Sequence, residues 1–314
     1  MLTFVTGGTG ALGTPTVALL RERGHEVRAL ATTSASAARL RATGATPVQG
    51  SLFDPQVLTA GVAGADAVLH LATRIAPLSR ARRRSAWAEN DRLRADGTRL
   101  LVDAALAQGV GVLVYPSFAP VYADGGATWL SAGSPVAPTD VLRSTVVAEQ
   151  EVARATAAGG HGVVLRMAGV YGPHSAATRD VLALAERGIS GFVGPAGAFQ
   201  PLVWDEDAAA ALVAAVETPG LSGTFDVVDD EPLTRAQLAA ALAAAVGRER
   251  VRRPPTPLVR LVLGHRLEFF LRSQRVSHQR FSDATGWAPR VQSAREGLPL
   301  ARAAVMGCQA LPNR

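Results

Sequence analysis

Three glycines at fixed spacing follow the first predicted strand and carry the clearest chemical signal in the sequence. The apolar run 2–6 is typical of a buried parallel strand and leads directly to Gly7, Gly10 and Gly13. Gly7 permits a tight turn, Gly10 lets the backbone approach a pyrophosphate, and Gly13 lets the next helix pack closely. Because the N-terminus of that helix then faces the phosphates, the sequence predicts a dinucleotide-binding site.

The end of the second predicted strand bears on the choice between NADP(H) and NAD(H). An acid usually follows this strand where a ribose 2′-hydroxyl is bound, but here hydroxyl residues follow, with Arg39 further on. They favour NADP(H), with NAD(H) as the alternative, although Arg39 is equally compatible with a solvated helix position. The predicted cofactor-binding residues are Gly7, Thr9, Gly10, Ala11, Leu12, Thr32, Thr33, Ser34, Arg39, Ser51, Leu52, Leu71, Ala72, Thr73, Met167 and Val170.

Few residues offer acid–base chemistry, and no metal site is predicted. The candidate catalytic residues are Tyr122, Tyr171, His174 and Asp140. Aromatic residues in predicted loops point to an apolar pocket for a large substrate, although scattered aromatics are also compatible with plain packing. The predicted lining residues of that pocket are Phe118, Val141, Trp129, Phe192, Phe199 and Trp204.

Strand and helix signals alternate through the first half of the chain. Strands are predicted at 2–6, 26–30, 46–49, 67–72, 111–115 and 162–166, and helices at 16–23, 92–107 and 141–158. This alternation predicts an α/β fold, a doubly wound parallel Rossmann sheet with ligands at the carboxyl ends of its strands. We expect residues 1–166 to form the dinucleotide-binding domain. Residues 167–314 are expected to form mainly a smaller C-terminal substrate lobe, with some segments returning to the first domain.

Composition narrows the class of protein. The 314 residues contain a single cysteine, which cannot form an intrachain disulfide, and this fits a reducing cytoplasm. The first strand begins at the second residue, so no signal peptide is expected, and no run approaches the roughly 20 apolar residues of a membrane span. The net charge is +6, but its arginines are scattered. The one cluster, at 80–84, is interpreted as a solvated segment or a lid over an anionic ligand, so neither a nucleic-acid nor a membrane partner is expected.

Several segments together resemble one family along nearly the whole chain. The resemblance is to the extended short-chain dehydrogenases/reductases, and it implies an NAD(P) cofactor, a hydride-transfer site and often a homodimer. It rests on the glycine segment 6–13, Ala65–Ala72, Gly97-Thr98, Val164-Leu165-Arg166, Gly169–Pro173 and Gly286–Pro289.

The proton-relay residues of that family are missing here. The positions of its Ser/Thr, Tyr, Lys and Asn carry Phe118, Val141, Thr145 and Arg94. Ser117 is one residue too early, and adjacent residues of a strand point to opposite faces. The chain contains no lysine, and an arginine cannot mimic the tunable pKa of a lysine.

Loss of this relay directs the functional prediction. A general acid contributes about 10² to 10⁴ in rate, but positioning of the reactants remains. The pattern resembles the atypical ketoreductases of actinobacterial aromatic-polyketide pathways, the simocyclinone-type angucyclinone ketoreductases, in whose substrates a phenol beside the carbonyl supplies the hydrogen bond. We therefore predict an NADPH-dependent ketoreductase of antibiotic biosynthesis that acts on a large apolar or polycyclic aromatic substrate, with the proton from substrate or water. The alternatives are a non-catalytic redox sensor similar to the NmrA-like regulators, and a sugar-nucleotide epimerase or dehydratase, which would need the tyrosine base.

Overall fold

A computed structural model describes residues 1–76 and 80–309, without the side chains of residues 308 and 309. Its strands are β1 (Leu2–Thr6), β2 (Glu26–Ala31), β3 (Thr46–Gln49), β4 (Ala67–His70), β5 (Val112–Phe118), β6 (Trp129–Leu130), β7 (His161–Met167), β8 (Gly169–Tyr171), β9 (Leu202–Trp204), β10 (Gly223–Val227) and β11 (Arg275–Val276). Its helices are α1 (Gly13–Glu22), α2 (Ser34–Ala42), α3 (Pro55–Val62), α4 (Ala88–Arg92), α5 (Thr98–Ala107), α6 (Arg143–Ala157), α7 (Ala176–Glu186), α8 (Asp205–Glu217), α9 (Arg235–Ala245), α10 (Thr256–Leu263), α11 (Gln279–Thr285) and α12 (Ala294–Gln309).

Seven parallel strands form the central sheet in the order β10-β7-β5-β4-β1-β2-β3. The chain starts in the middle and builds outward in both directions, so the strand order reverses between β1 and β4. Ligands of doubly wound sheets bind in the crevice at this reversal, outside the carboxyl ends of the strands. The predicted Rossmann fold is confirmed, and it sets one edge of the sheet as the place for a site.

Local sequence explains how several helices begin at that edge. Thr33 caps α2 by accepting a hydrogen bond from the backbone N–H of Ser36, whose side chain bonds back to the cap. Asp54 caps α3 in the same way and is followed by Pro55 at the first helical position. Side-chain oxygens at these positions satisfy backbone N–H groups that a helix start would leave without partners.

The helix predicted at 92–107 differs from the structure. It begins earlier, at Ala88, and it contains a π-helical turn at Leu93–Gly97 between α4 and α5. At Gly97 the helix passes so close to the loop after β3 that a Cβ atom would lie 2.5 Å from a methyl group of Leu52. The π turn adds one residue to a turn and changes the direction of the side chains that it carries.

Segments beyond residue 166 divide between the sheet and a second core. Strand β10 pairs with β7 and completes the central sheet. Strands β8 and β9 pair with each other, and with α7, α9 and α12 they enclose a separate apolar cluster, the second-lobe core. The domain boundary at residue 166 stays a prediction, and residues 310–314 lie outside the described part of the chain. Across the described residues, no helix is both long and apolar enough to cross a bilayer.

Candidate cofactor site and active site

The loop between β1 and α1 has no room for a Cβ atom at Gly7 or Gly13. Gly7 has a φ of +72°, and a Cβ atom there would lie 2.6 Å from the backbone nitrogen of Ala72, which follows β4. A Cβ atom at Gly13 would collide with the carbonyl oxygen of Gly7, and one at Gly10 would lie 3.3 Å from the same atom. The loop therefore forms a bare backbone cradle at the strand-order reversal.

The cradle presents hydrogen-bond donors that the described chain does not use. The N–H of Gly10 donates to the carbonyl of Gly7 at 3.0 Å, which closes the turn. The N–H groups of Ala11 and Leu12, just before α1, make no hydrogen bond to any described residue. Free N–H groups at a helix N-terminus bind anions, so this loop fits the pyrophosphate of a dinucleotide.

Arg39 reaches the cradle from α2. Its Nη2 donates to the carbonyl of Thr9 at 2.8 Å, so the guanidinium lies across the outer side of the loop rather than free in solvent. Thr33 uses its hydroxyl to cap α2, and Ser34 begins that helix. One guanidinium and several hydroxyls thus stand at the end of β2, where an acid would repel a phosphate.

The other predicted cofactor-binding residues follow neighbouring strands at the same edge of the sheet. Ser51 and Leu52 follow β3, and Leu52 is buried against the π turn. Leu71, Ala72 and Thr73 follow β4. Met167, the last residue of β7, and Val170, in β8, lie beyond β5. The fold thus brings all the predicted cofactor-binding residues to one edge, although contact with a cofactor stays a prediction.

Apolar packing fills the positions of the missing serine and tyrosine. Val141 is fully buried and Phe118 is partly buried, with its ring edge-on to that of Phe269 at 6.2 Å. Val141 belongs to a buried apolar group, here called the Val141 cluster, and Phe118 packs against it. The buried members are Ala76, Ala81, Trp87, Val121, Val141, Leu142, Val259, Leu263, Leu267, Phe269 and Leu271. The cluster joins the end of β5 and the start of α6 to α10, so apolar packing without an acid–base group occupies this region.

A buried hydrogen bond joins the positions of the missing lysine and asparagine. Nη1 of Arg94, in the π turn, donates to Oγ1 of Thr145 in α6 at 2.6 Å. The Arg94 side chain is buried, and its Nε makes no hydrogen bond among the described residues. No carboxylate of the described residues lies within 4 Å of the guanidinium. A positive charge thus stands beside the lysine position, although it comes from another helix.

One helical turn further along α6, a second buried arginine is fully paired. Arg166 of β7 donates from Nε and Nη2 to the two carboxylate oxygens of Glu149, at 3.0 and 2.8 Å. Glu149 also accepts the hydroxyl hydrogen of Ser117, which therefore faces α6. This contact removes Ser117 as a catalytic hydroxyl, in agreement with its one-residue displacement on β5.

Tyr122 extends the same network and does not reach a cleft. It is fully buried, its hydroxyl donates to Oδ1 of Asp226 at 2.7 Å, and its ring lies under the guanidinium of Arg166. Burial, with the nearby Asp226 carboxylate, raises the pKa of Tyr122, and burial raises the pKa of Asp226 to about 7. This placement argues against Tyr122 as a proton donor to substrate.

Three aromatic candidates lie in the second-lobe core instead of lining a cleft. Tyr171 ends β8 and Trp204 ends β9, so neither lies in a loop, and their rings meet edge-on at 5.5 Å. Phe192 is buried in the same core. The Tyr171 hydroxyl packs under Gly297 of α12, and burial raises its pKa. The prediction of pocket loops overlooked two short strands, and the burial of these side chains argues against roles in catalysis or substrate binding.

The remaining candidates keep some exposure. Nδ1 of His174 lies 3.0 Å from the buried carboxylate of Asp205, and the His174 side chain is 40% exposed. Asp140, just before α6, pairs with the exposed Arg143 at 3.1 Å. The Asp205 carboxylate orients the His174 ring, as a carboxylate commonly does for a histidine acid or base, whereas Asp140 contacts only exposed side chains.

Two further aromatic candidates surround an arginine. The guanidinium carbon of Arg275 lies 4.1 Å from the ring centre of Trp129 and 5.4 Å from that of Phe199. Trp129 lies in β6 and is half exposed. This stack could meet a flat substrate at the surface, so the two residues remain candidates for substrate binding.

Sequence reasoning missed Glu149, Arg166 and Asp226. Arg166 was visible, because Val164-Leu165-Arg166 is one of the segments that carried the family resemblance. Asp226 lies on β10, which the sequence analysis did not predict. His70, at the end of β4, is buried and hydrogen-bonded to Thr6 at 2.6 Å, and burial lowers its pKa to about 4.

Comparisons with known proteins place this geometry in a family. Residues 3–227 match the model of the NAD dependent epimerase/dehydratase family. A 3-diazoavenalumate denitrifying reductase from a Streptomyces species is 35% identical over 308 residues, 95% of this chain and 99% of the relative. A 2-alkyl-3-oxoalkanoate reductase from Stenotrophomonas maltophilia is 31% identical over 268 residues, 80% of this chain and 77% of the relative.

A solved structure agrees over nearly the full length. The crystal structure of the human epimerase family protein SDR39U1 (isoform 2) with NADPH superposes with a TM-score of 0.80 at 25% identity, over 96% of this chain and 99% of that one. The family match, the relatives named as reductases and the glycine cradle agree with each other. The chain therefore belongs to the NAD-dependent epimerase/dehydratase family, within the extended short-chain dehydrogenases/reductases, a family of NAD(P)-dependent enzymes.

Proposed function

We propose that this protein is an NADPH-dependent reductase of aromatic substrates that works without a proton donor from the protein. The observation that carries the proposal is the Val141 cluster, which fills with apolar side chains the place where the family has its serine and tyrosine. Phe118 and Val141 cannot donate a proton, and the hydroxyl of Thr145 accepts a hydrogen bond from Arg94.

The cofactor would be held by the glycine cradle and by the groups at the end of β2. The N–H groups of Ala11 and Leu12 suit a pyrophosphate, and Arg39 with the nearby hydroxyls suits a 2′-phosphate. NADPH, when bound, supplies the hydride for the reduction. Replacing Arg39 by Met should weaken NADPH binding about tenfold or more while leaving NADH binding nearly unchanged, as measured by calorimetry. Tighter binding of NADH than NADPH by the unchanged protein would contradict the preference.

A carbonyl is the first acceptor that we propose. Reduction of a carbonyl builds negative charge on its oxygen, and this charge needs a hydrogen-bond donor where it develops. If the substrate has a phenol beside the carbonyl, that donor is already in position and the apolar Val141 cluster suffices. The 3-oxo group in the name of the Stenotrophomonas relative supports a carbonyl acceptor.

A diazo group is the second acceptor, and the name of the Streptomyces relative favours it. When hydride replaces dinitrogen on an arene diazonium ion, the new C–H bond takes the hydride pair and the C–N pair leaves with N₂. The step consumes no proton, so a site without an acid meets its requirements. The Val141 cluster would exclude water, which otherwise competes as a nucleophile.

One panel of substrates separates these reactions. NADPH oxidation is followed with a polycyclic ketone that has a neighbouring phenol, with the same ketone methylated on the phenol, and with an arene diazonium salt whose dinitrogen release is measured. A phenol-assisted ketoreductase should lose about 10² or more in single-turnover rate on methylation, the size of a lost donor. A denitrifying reductase should release one N₂ for each NADPH oxidised.

One result would contradict the proposal, and another would contradict its phenol-assisted form. Tight NADPH binding without turnover of any member of the panel would favour the alternative of a redox sensor. Equal rates for the free and the methylated phenol would mean that the protein or a bound water supplies the proton, and His174 and Asp140 would then be tested first. An epimerase or dehydratase is disfavoured because the tyrosine position holds Val141.

We also propose that the protein acts in antibiotic biosynthesis on a polyketide substrate, and that it is a cytoplasmic homodimer. Analytical ultracentrifugation tests the dimer directly. Identification of a polycyclic compound that copurifies with the protein would test the substrate class.

A further inference from the structure

We propose that Arg94 is a positioning residue that holds the nicotinamide half of the bound dinucleotide, with Thr145 as its anchor. The inference rests on the proposed NADPH site and concerns the half of that site that the glycine cradle does not cover. It starts from a buried positive charge that has too few partners.

Arg94 is only 5% exposed, yet its one hydrogen bond within the described residues goes to the neutral hydroxyl of Thr145. The segment 77–79, outside the described residues, contains no acid that could add a counter-ion. A guanidinium has five N–H donors, and its buried Nε has no acceptor. Burial of a charge without a counter-ion is costly, so such a group indicates a ligand that supplies the missing acceptors.

The position of Arg94 defines which part of a dinucleotide could supply them. Arg39 contacts the cradle from the β2 side, where a 2′-phosphate is expected. A dinucleotide that crosses the strand-order reversal must continue past the cradle toward β4, β5 and β7. Arg94 lies on that side, since its hydrogen-bond partner Thr145 belongs to α6, which packs on β5 and β7. Acceptors there are the ribose hydroxyl oxygens and the carboxamide oxygen of the nicotinamide half.

The local backbone supports a ligand-facing role. Arg94 lies in the π-helical turn at Leu93–Gly97, and isolated π turns are found frequently at functional sites. The turn directs the arginine toward α6, where Thr145 accepts a hydrogen bond from Nη1 while Nε makes none within the described residues. A permanent charge suits binding and orientation, whereas it does not suit proton transfer.

Calorimetry with two ligands tests the inference. Adenosine 2′,5′-bisphosphate carries the 2′-phosphate half of NADPH and lacks the nicotinamide riboside. Arg94→Met should weaken NADPH binding about tenfold to a hundredfold and change binding of the bisphosphate less than about twofold. Arg94→Lys should recover part of the loss. The matched control, Arg39→Met, should weaken binding of both ligands.

Thermal unfolding of the ligand-free protein separates this role from a structural one. A structural Arg94 predicts a lower midpoint in Arg94→Met, whereas removal of an underpaired buried charge predicts an unchanged or higher midpoint. The inference is wrong if Arg94→Met binds NADPH as tightly as the unchanged protein, or loses both ligands equally. Failure of the unchanged protein to bind NADPH would instead overturn the proposed function.

Discussion

Two successive turns of α6 each contact a buried arginine, but only one of them supplies a counter-ion. At Glu149, both carboxylate oxygens meet the guanidinium of Arg166, and Ser117 adds a further donor. At Thr145, four residues earlier on the same face of the helix, Arg94 meets a single hydroxyl. The two arginines are similarly buried, but only one of them has a counter-ion among the described residues.

This difference suits a structural role for the Glu149 turn of α6 and a ligand-binding role for the Thr145 turn. The Glu149–Arg166 pair lies between α6, β5 and β7, and its partners satisfy one another, so nothing remains for a ligand. The Arg94–Thr145 contact lies at the carboxyl edge of the sheet, and the Nε of Arg94 makes no hydrogen bond within the described residues. A charge that folding does not need is better explained by binding, since an underpaired buried charge lowers stability.

The largest expected effect separates the two arginines directly. Arg166→Met should lower the free energy of unfolding by about 3–5 kcal/mol, because it leaves the Glu149 carboxylate buried without a counter-ion. Arg94→Met should leave the free energy of unfolding unchanged or raise it, since an underpaired buried charge is removed and no carboxylate is left unpaired. Urea denaturation of both variants at one pH measures the difference.

A double variant checks the cause of that loss. Arg166→Met combined with Glu149→Met removes both charges and should recover most of the stability. Equal destabilisation by Arg94→Met and Arg166→Met would show that the two turns of α6 have the same role, and the comparison would fail.

Local sequence patterns predicted the glycine cradle and the loss of the relay better than either turn of α6. The glycine cradle depends on residues that are adjacent in sequence, so strand, turn and helix signals were enough. The loss of the relay was also readable, because it depends only on which residues are absent. Arg94 was noted as a departure, but its partner Thr145 lies 51 residues away, and the π turn that directs it has no simple sequence pattern.

Long-range strand pairing explains why the sequence analysis placed Tyr171 and Trp204 in loops. Tyr171 and Trp204 were assigned to loops because β8 and β9 have only three residues each and pair with each other across 30 intervening residues. An aromatic residue at the end of a short strand has the same local sequence whether it lines a cleft or fills a core. Only the tertiary contacts, here the packing of α12 over Tyr171, decide between them.

The paired region also contains an acid that is sensitive to pH. Burial raises the pKa of Asp226 to about 7, above the value of about 3.9 for an unfolded aspartate. The folded protein therefore binds this proton more tightly than the unfolded chain, and the free energy of unfolding falls as the pH rises from about 4 to 7. Between pH 5 and pH 8 the free energy of unfolding should therefore fall by about 1–3 kcal/mol less in Asp226→Asn than in the wild type.

Denaturation curves of wild type and variant at pH 5 and pH 8 measure this loss. The matched control is Asp180→Asn, an exposed acid of α7, which should keep the wild-type dependence on pH. If Asp226→Asn shows the same pH dependence as the wild type, Asp226 is ionised throughout this range and the network is more polar than its burial indicates.

The smallest expected effect tests whether the paired region has any part in catalysis. Tyr122→Phe removes the hydrogen bond from the tyrosine hydroxyl to Asp226 and leaves the ring under Arg166 in place. Stability should fall by about 1 kcal/mol, the net value of one hydrogen bond, and kcat should fall less than about tenfold. Steady-state kinetics at a temperature well below the unfolding midpoint keeps the two effects apart. A loss of about 10³ in kcat with NADPH binding intact would make Tyr122 the hidden proton donor, and the division of α6 into a structural turn and a binding turn would then be wrong.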